Sequence, residues 1–295
     1  MKLYYEPENN ENQKNVSAPE HTLQGDNIHE ETKNQHLKMK DKPFKEKAMY
    51  YFGYYKYHAL GVIVGIGILI SIVHAVASSK DYCFNAMIFN SSNINGELLA
   101  DNFSEYADFD LNEYDCSIDA NLVDGKNASG FNDASAGTKF TAMMATKDLD
   151  IAVYDSFNFY IKALNSVYIN LNEVLTDEQI KKYEPYFYYI DMEEVKAAEE
   201  DDAVIVNAGL LESDEKALEA DIKKHMDPSN MKEPIAVGIV ISDSNLITAT
   251  DAYPSGYPVL GIIVNSQRIP AATKFIDYIF DNNIDFYSVA VTNIS

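Results

Sequence analysis

Residues 141–155 read TAMMATKDLDIAVYD: helical spacing first, then a short apolar strand that stops on a carboxylate, Asp155. In an open parallel sheet, ligands sit beyond the carboxyl ends of the strands. Asp155 stands at such an end. Ser91 and Ser92 follow Asn90 after the first apolar strand, and Asn265 precedes Ser266 after the last. Tyr253 and Tyr257 flank a Pro-Ser-Gly turn. Ser91, Ser92, Asp155, Tyr253, Tyr257 and Asn265 therefore form a candidate set of hydrogen-bonding groups for a small polar solute such as a sugar, peptide or amino acid. Asp155 has a second role open to it, compatible with the first: capping the helix that follows. The tyrosines at 183, 186, 188 and 189 could line a groove or simply pack a core.

Other chemistry finds little support. Five of the six histidines precede residue 80, and His225 lies beside Lys223 and Lys224, which suggests exposure to solvent. A triad or a histidine-rich metal site would depend on that one residue. The chain has no CxxC, P-loop or HExxH pattern. Asp108, Asp110 and Asn112 open like a calcium loop, but Glu113 stands where such a loop needs glycine. Acidic residues are too abundant for any one pair to signal glycosidase chemistry. The sequence therefore suggests a protein that is not an enzyme, with no cofactor and no metal.

Charge separates two regions. Residues 1–80 hold ten Lys against nine Asp and Glu; residues 81–295 hold 37 Asp and Glu against 12 Lys and one Arg. A body so acidic repels phosphate polymers, so nucleic acid is excluded as a partner. Between the regions lies ALGVIVGIGILISIVHAVA, 59–77, free of formal charge. As a helix it would extend about 28 Å, close to the thickness of a bilayer's hydrocarbon core. Tyr50, Tyr51, Tyr54, Tyr55 and Tyr57 form an aromatic belt before it. Residues 33–58 carry seven Lys against Asp41 and Glu46. By the positive-inside rule the N-terminus is cytoplasmic and the acidic part extracellular, with the lipid bilayer as partner of 59–77. Cleavage after Ala77 is the competing reading, since Ala75-Val76-Ala77 has the form of a signal-peptidase site; the long leader favours an uncleaved single-pass anchor. Gly61 and Gly65 make a GxxxG match through which two such helices could associate.

The elements that must hold the candidate residues follow. Residues 1–43, rich in Asn, Glu, Gln and Lys, are expected to be a disordered cytoplasmic tail, and 44–58 a basic, aromatic juxtamembrane segment. From Tyr82 the order strand, helix, strand, helix, strand implies a mostly parallel sheet with right-handed crossovers and helices on both faces, an α/β fold. Thr176 is a candidate helix cap. Apolar runs from Ala203 and Ile235 are further strand candidates, and Pro270 suits the first turn of a last helix.

Three stretches carry a resemblance: the helix, Asp-Leu-Asp turn and strand of 138–155; VYINLNEVLTDEQIKKY, 167–183; and LGIIVNSQRIPAATKFIDYIFD, 260–281. Together they resemble the bacterial extracellular solute-binding proteins, with their periplasmic-binding-protein-like fold. The resemblance implies two lobes: a first from 81–155 and 257–295, and a second, reduced one from 156–256. It also implies a small polar solute and a membrane transporter or other envelope partner. A transmembrane helix replaces the family's usual lipid anchor. The alternative is a structural or envelope-interaction protein that keeps the fold without the ligand. In this fold Cys83 and Cys116 start neighbouring strands, so they form either a disulfide or two buried free thiols.

Overall fold

The computed structural model describes residues 42–78, 80–124, 133–200, 215–254 and 256–291. The expected tail up to residue 41 and the strand candidate beginning at Ala203 lie outside them. The chain divides into two units, 1–79 and 80–295. In the first, helix α1 spans Phe44–Ser78. Within it, Tyr55–His74 is long and apolar enough to cross a membrane, and none of that window is buried. Gly61 and Gly65 face open space.

The second unit is built on one six-stranded sheet. Its strands are β1 (Tyr82–Phe89), β2 (Asp115–Leu122), β3 (Ile151–Asp155), β4 (Phe187–Asp191), β5 (Pro234–Val240) and β6 (Pro258–Ile262). They lie in the order β2-β1-β3-β6-β5-β4. The β1 pairings with β2 and β3 are parallel, whereas β6 runs antiparallel to both β3 and β5, and β4 antiparallel to β5. Four strands thus point one way and two the other, and the fold is mixed α/β. Residues 156–256, expected to form a second lobe, instead add β4 and β5 to the same sheet. Each of these strands pairs antiparallel with its neighbour, β4 with β5 and β5 with β6, so this stretch extends the existing sheet rather than starting a new body.

Strand alternation divides the apolar side chains between two layers. Phe84, Ala86 and Ile88 of β1 face α2 (Gly96–Ala107), α5 (Asp177–Tyr183), α8 (Asn245–Thr250) and α9 (Ile269–Ile279). Met87 and Phe89 face α3 (Asp133–Thr146), α4 (Ser156–Leu164), α6 (Met192–Glu200) and α7 (Glu215–Met226). The α2 helix starts because the Asn95 side chain accepts from the Leu98 N–H, and it stops where Asp108 turns left-handed. Thr176 and Gln179 complete a capping box at α5. Pro270 lies in the first turn of α9, where its missing N–H costs nothing. On the second layer the rings of Phe159 and Tyr168 stack in parallel, 4.2 Å apart. A Cβ at Gly238 would lie 2.6 Å from Phe159, and one at Gly261 would lie 2.4 Å from Tyr168, so glycine is what lets these rings lie flat on the sheet.

The lower end of the sheet is held by the chain's single arginine. Asp150 has no exposed surface. Its carboxylate accepts from Arg268 Nε (2.8 Å), Ser266 Oγ (2.6 Å) and the Asn85 backbone N–H (2.9 Å). Arg268 also donates to the Lys147 carbonyl. One buried carboxylate thereby joins β1, the turn before β3 and the turn after β6.

Candidate functional site

Two crossovers define where the candidate residues meet. After β1 the chain passes to α2 on one face of the sheet; after β3 it passes to α4 on the other. The divergence opens the sheet's carboxyl rim between β1 and β3, the switch point where open α/β sheets bind ligands. Asn90 and Asp155 stand on either side of it.

Asp155 is the cap of α4. Its Oδ1 accepts from the Asn158 N–H at 3.0 Å. Its Oδ2 accepts from the Asn158 and Asn90 side-chain amides, each at 2.8 Å. Asn90, with a left-handed φ of 53°, also exchanges two hydrogen bonds with the backbone of Asp124: its Nδ2 donates to the Asp124 carbonyl at 2.9 Å and its Oδ1 accepts the Asp124 N–H at 3.1 Å. The Asp124 carboxylate accepts from the Tyr154 hydroxyl (2.9 Å) and pairs with Lys162 (3.1 Å). The Lys162 ammonium in turn lies 5.0 Å from the Phe140 ring centroid, as a cation over its face. Burial, first, and the nearby carboxylates raise the Tyr154 hydroxyl far above the usual tyrosine range, so it stays a donor.

The remaining predicted residues on this rim are also engaged within the protein. Ser91 Oγ accepts from the Asn121 N–H at 3.0 Å, and Ser92 Oγ donates to the Ala252 carbonyl at 3.3 Å. Tyr253 is buried and donates its hydroxyl to the Phe89 carbonyl. Tyr257 packs half-buried against the aromatic layer. Because β6 is antiparallel to β3, Pro258 sits beside Asp155, which brings Tyr253 and Tyr257 to the correct rim. The same reversal sends Asn265 to the opposite end, where its amide donates to the Met144 carbonyl. Asn265 is therefore not part of the switch-point set. Two hydroxyls behind the rim, Ser156 Oγ and the Tyr168 hydroxyl, are buried without a hydrogen-bond partner among the described residues.

Sequence reasoning overlooked Asp124, Tyr154, Asn158 and Lys162. Asp124 closes β2 as Asp155 closes β3, and that repeated strand-end carboxylate was the available signal. The expected exposure of His225 is overturned: it is 1% exposed. Ile222, His225 and Met226 share one side of α7 by their spacing of three and four, and this side faces β4. His225 stacks on Tyr188 at 4.6 Å, and its Nδ1 donates to the Tyr189 carbonyl at 2.8 Å, covering the outer edge of β4. Tyr183 and Tyr188 are core residues too. Cys83 and Cys116 are free thiols in the structure, each half-buried. Among the described residues no group of three His, Cys, Asp or Glu side chains could hold a metal ion.

Burial lowers the His225 pKa, outweighing Asp221, whose carboxylate lies 3.7 Å from Nε2 and pulls upward with the Tyr189 hydrogen bond. The folded state thus prefers the neutral ring. Its contribution is complete above the unfolded value near 6.5 and is lost as pH falls from there through the lowered folded value. Thermal denaturation between neutral and mildly acidic pH should show a His225-dependent loss of stability, limited to about 1.4 kcal/mol per pH unit for one proton. His225→Phe keeps the stack and should remove that part of the slope; identical slopes in the two proteins would refute the assignment.

No family model, no curated protein and no solved structure matches the chain.

Proposed function

We propose that the chain is a single-pass membrane protein whose N-terminus is cytoplasmic and whose acidic α/β domain stands outside the cell, where it works through its surface as a structural or envelope-interaction module. The observation behind this reading is the state of the switch point. Asp155, Ser91, Ser92 and Tyr253 spend their hydrogen-bonding groups on Asn158, Asn90, Asn121, Ala252 and Phe89. A polar solute would have to displace these internal bonds without a net gain. The surface charge suits a module that stays soluble beside a membrane.

A second reading has its own support. The unpartnered Ser156 and Tyr168 hydroxyls lie behind Asp155 and favour a small polar solute held at the rim, as the resemblance to solute-binding proteins implies. Thermal-shift screening of the detergent-solubilised chain against sugars, peptides and amino acids separates the two. Saturation at a hundred times the dissociation constant would add about 2.7 kcal/mol. Our primary reading expects no shift, and a reproducible shift abolished by Asp155→Asn would replace it with the second.

Placement has a separate test. Protease added to intact cells should remove residues 80–295 and leave a shorter fragment containing α1. Digestion of the N-terminal segment instead would reverse the proposed orientation, and recovery of the intact domain in the medium would favour cleavage after Ala77.

A further inference from the structure

We infer that Cys83 and Cys116 form a redox-closable pair, a site at which an intramolecular disulfide clamps the start of β1 to the start of β2. The two strands are parallel neighbours, and adjacent strands lie about 4.8 Å apart, within the Cα separations that disulfides span. Simple alternation would nevertheless place the side chains of Cys83 and Phe84 on opposite faces, and Cys116 is opposite Phe84. The register resolves this. It passes from Tyr82 opposite Asp115 to Phe84 opposite Cys116, so Cys83 is the extra residue of a bulge. The bulge re-aims its side chain. The thiol donates to the carbonyl of Asp115, the residue preceding Cys116, at 3.3 Å. Cys116 packs against the layer beneath α2. The bulge thus brings the Cys83 thiol to the backbone of the strand that carries Cys116, and closing the bond requires no change of strand pairing.

The chemistry needs an external disulfide, either a small-molecule disulfide of the glutathione type or that of a dithiol oxidoreductase. Cys83 is the less buried thiol, and burial raises Cys116 more strongly, so Cys83 is the first nucleophile. Its thiolate attacks one reagent sulfur; the reagent's S–S bond breaks and its first thiolate leaves, taking up the proton Cys83 released. Cys116 then loses its proton and attacks the Cys83 sulfur. The protein S–S bond forms, and the reagent's second thiolate leaves and is protonated. The reagent gains two electrons and the cysteine pair loses two.

This inference stands independently of the membrane placement. The test uses the full chain in detergent, reduced, then exposed to oxidised glutathione at mildly alkaline pH without denaturant, quenched with a maleimide and mapped without reduction. The expected product is one peptide pair joined through Cys83 and Cys116, unlabelled, with a melting temperature roughly 5–15 °C above that of the reduced protein. Cys116→Ala should stop at a glutathione adduct on Cys83 and lose the shift. Recovery of two maleimide-labelled cysteines, of two glutathione adducts, or of bridges between chains alone would overturn the proposal.

Discussion

Arg268→Ala should destabilise the domain by about 3–5 kcal/mol, the cost of leaving a buried charge without its partner. Asp150 is wholly buried, and among the described residues Arg268 is the one cation paired with it. The remaining donors, Ser266 Oγ and the Asn85 N–H, are neutral and cannot balance a carboxylate removed from water. Lysine is a poor replacement: it cannot both meet the carboxylate in plane and reach the Lys147 carbonyl as the guanidinium does. Chemical denaturation of the solubilised chain reads the loss directly. A charge-free pair, Arg268→Met with Asp150→Asn, should recover part of it, because the asparagine oxygen can still accept the Asn85 N–H. If the single variant melts like wild type, the ion pair contributes nothing to holding the lower end of the sheet.

Phe103→Ala should cost a similar amount, about 3–5 kcal/mol, for a different reason. Phe103 has no exposed surface and sits at the centre of an aromatic cluster. Its ring centroid lies 4.7 Å from Phe84, 5.0 Å from Phe275, 5.2 Å from Tyr278 and 5.6 Å from Phe109. Those rings come from β1, α9 and the turn after α2, so none can close the cavity without moving a whole element. Phe103→Leu keeps most of the volume and should lose much less. The denaturant midpoint should fall while the slope of the transition stays constant. Equal midpoints for the alanine and leucine variants would mean that the cluster relaxes around the gap.

The first half of the domain was legible in its sequence because its elements are local and strongly patterned. Cys116, Ile118, Ala120 and Leu122 alternate with polar residues, and β2 occupies this stretch. The helix and strand read from TAMMATKDLDIAVYD are α3 and β3, with Asp155 as the cap. Strand direction was not legible. Val259 to Ile262 is apolar throughout, and an apolar run fits either orientation; the path taken after β5 decides it. That one ambiguity misplaced Asn265. The strand β4 was hidden because FYYID follows a helix and a proline turn, and its aromatic residues looked like groove or packing tyrosines. His225 was misjudged from its charged neighbours in sequence, although the side of the helix it shares with Ile222 and Met226 decides its burial. The polar knot of Asn90, Asp124, Asp155 and Asn158 depends on three strand ends meeting, which no local pattern encodes.

The strand that follows α1 is not an edge strand. Tyr82 comes four positions after Ser78, and β1 has β2 on one side and β3 on the other, both parallel to it. Any tension transmitted through α1 would therefore enter the sheet at an interior strand. Drawn along its own axis, β1 has to slide past two neighbours at once, so the slanted bonds of both ladders resist together in shear. A pull entering at β2 or β4 would instead peel a border strand away, one bond after another. The chain order thus makes a pull from the N-terminal side load two ladders at once, before any bond between Cys83 and Cys116 is formed.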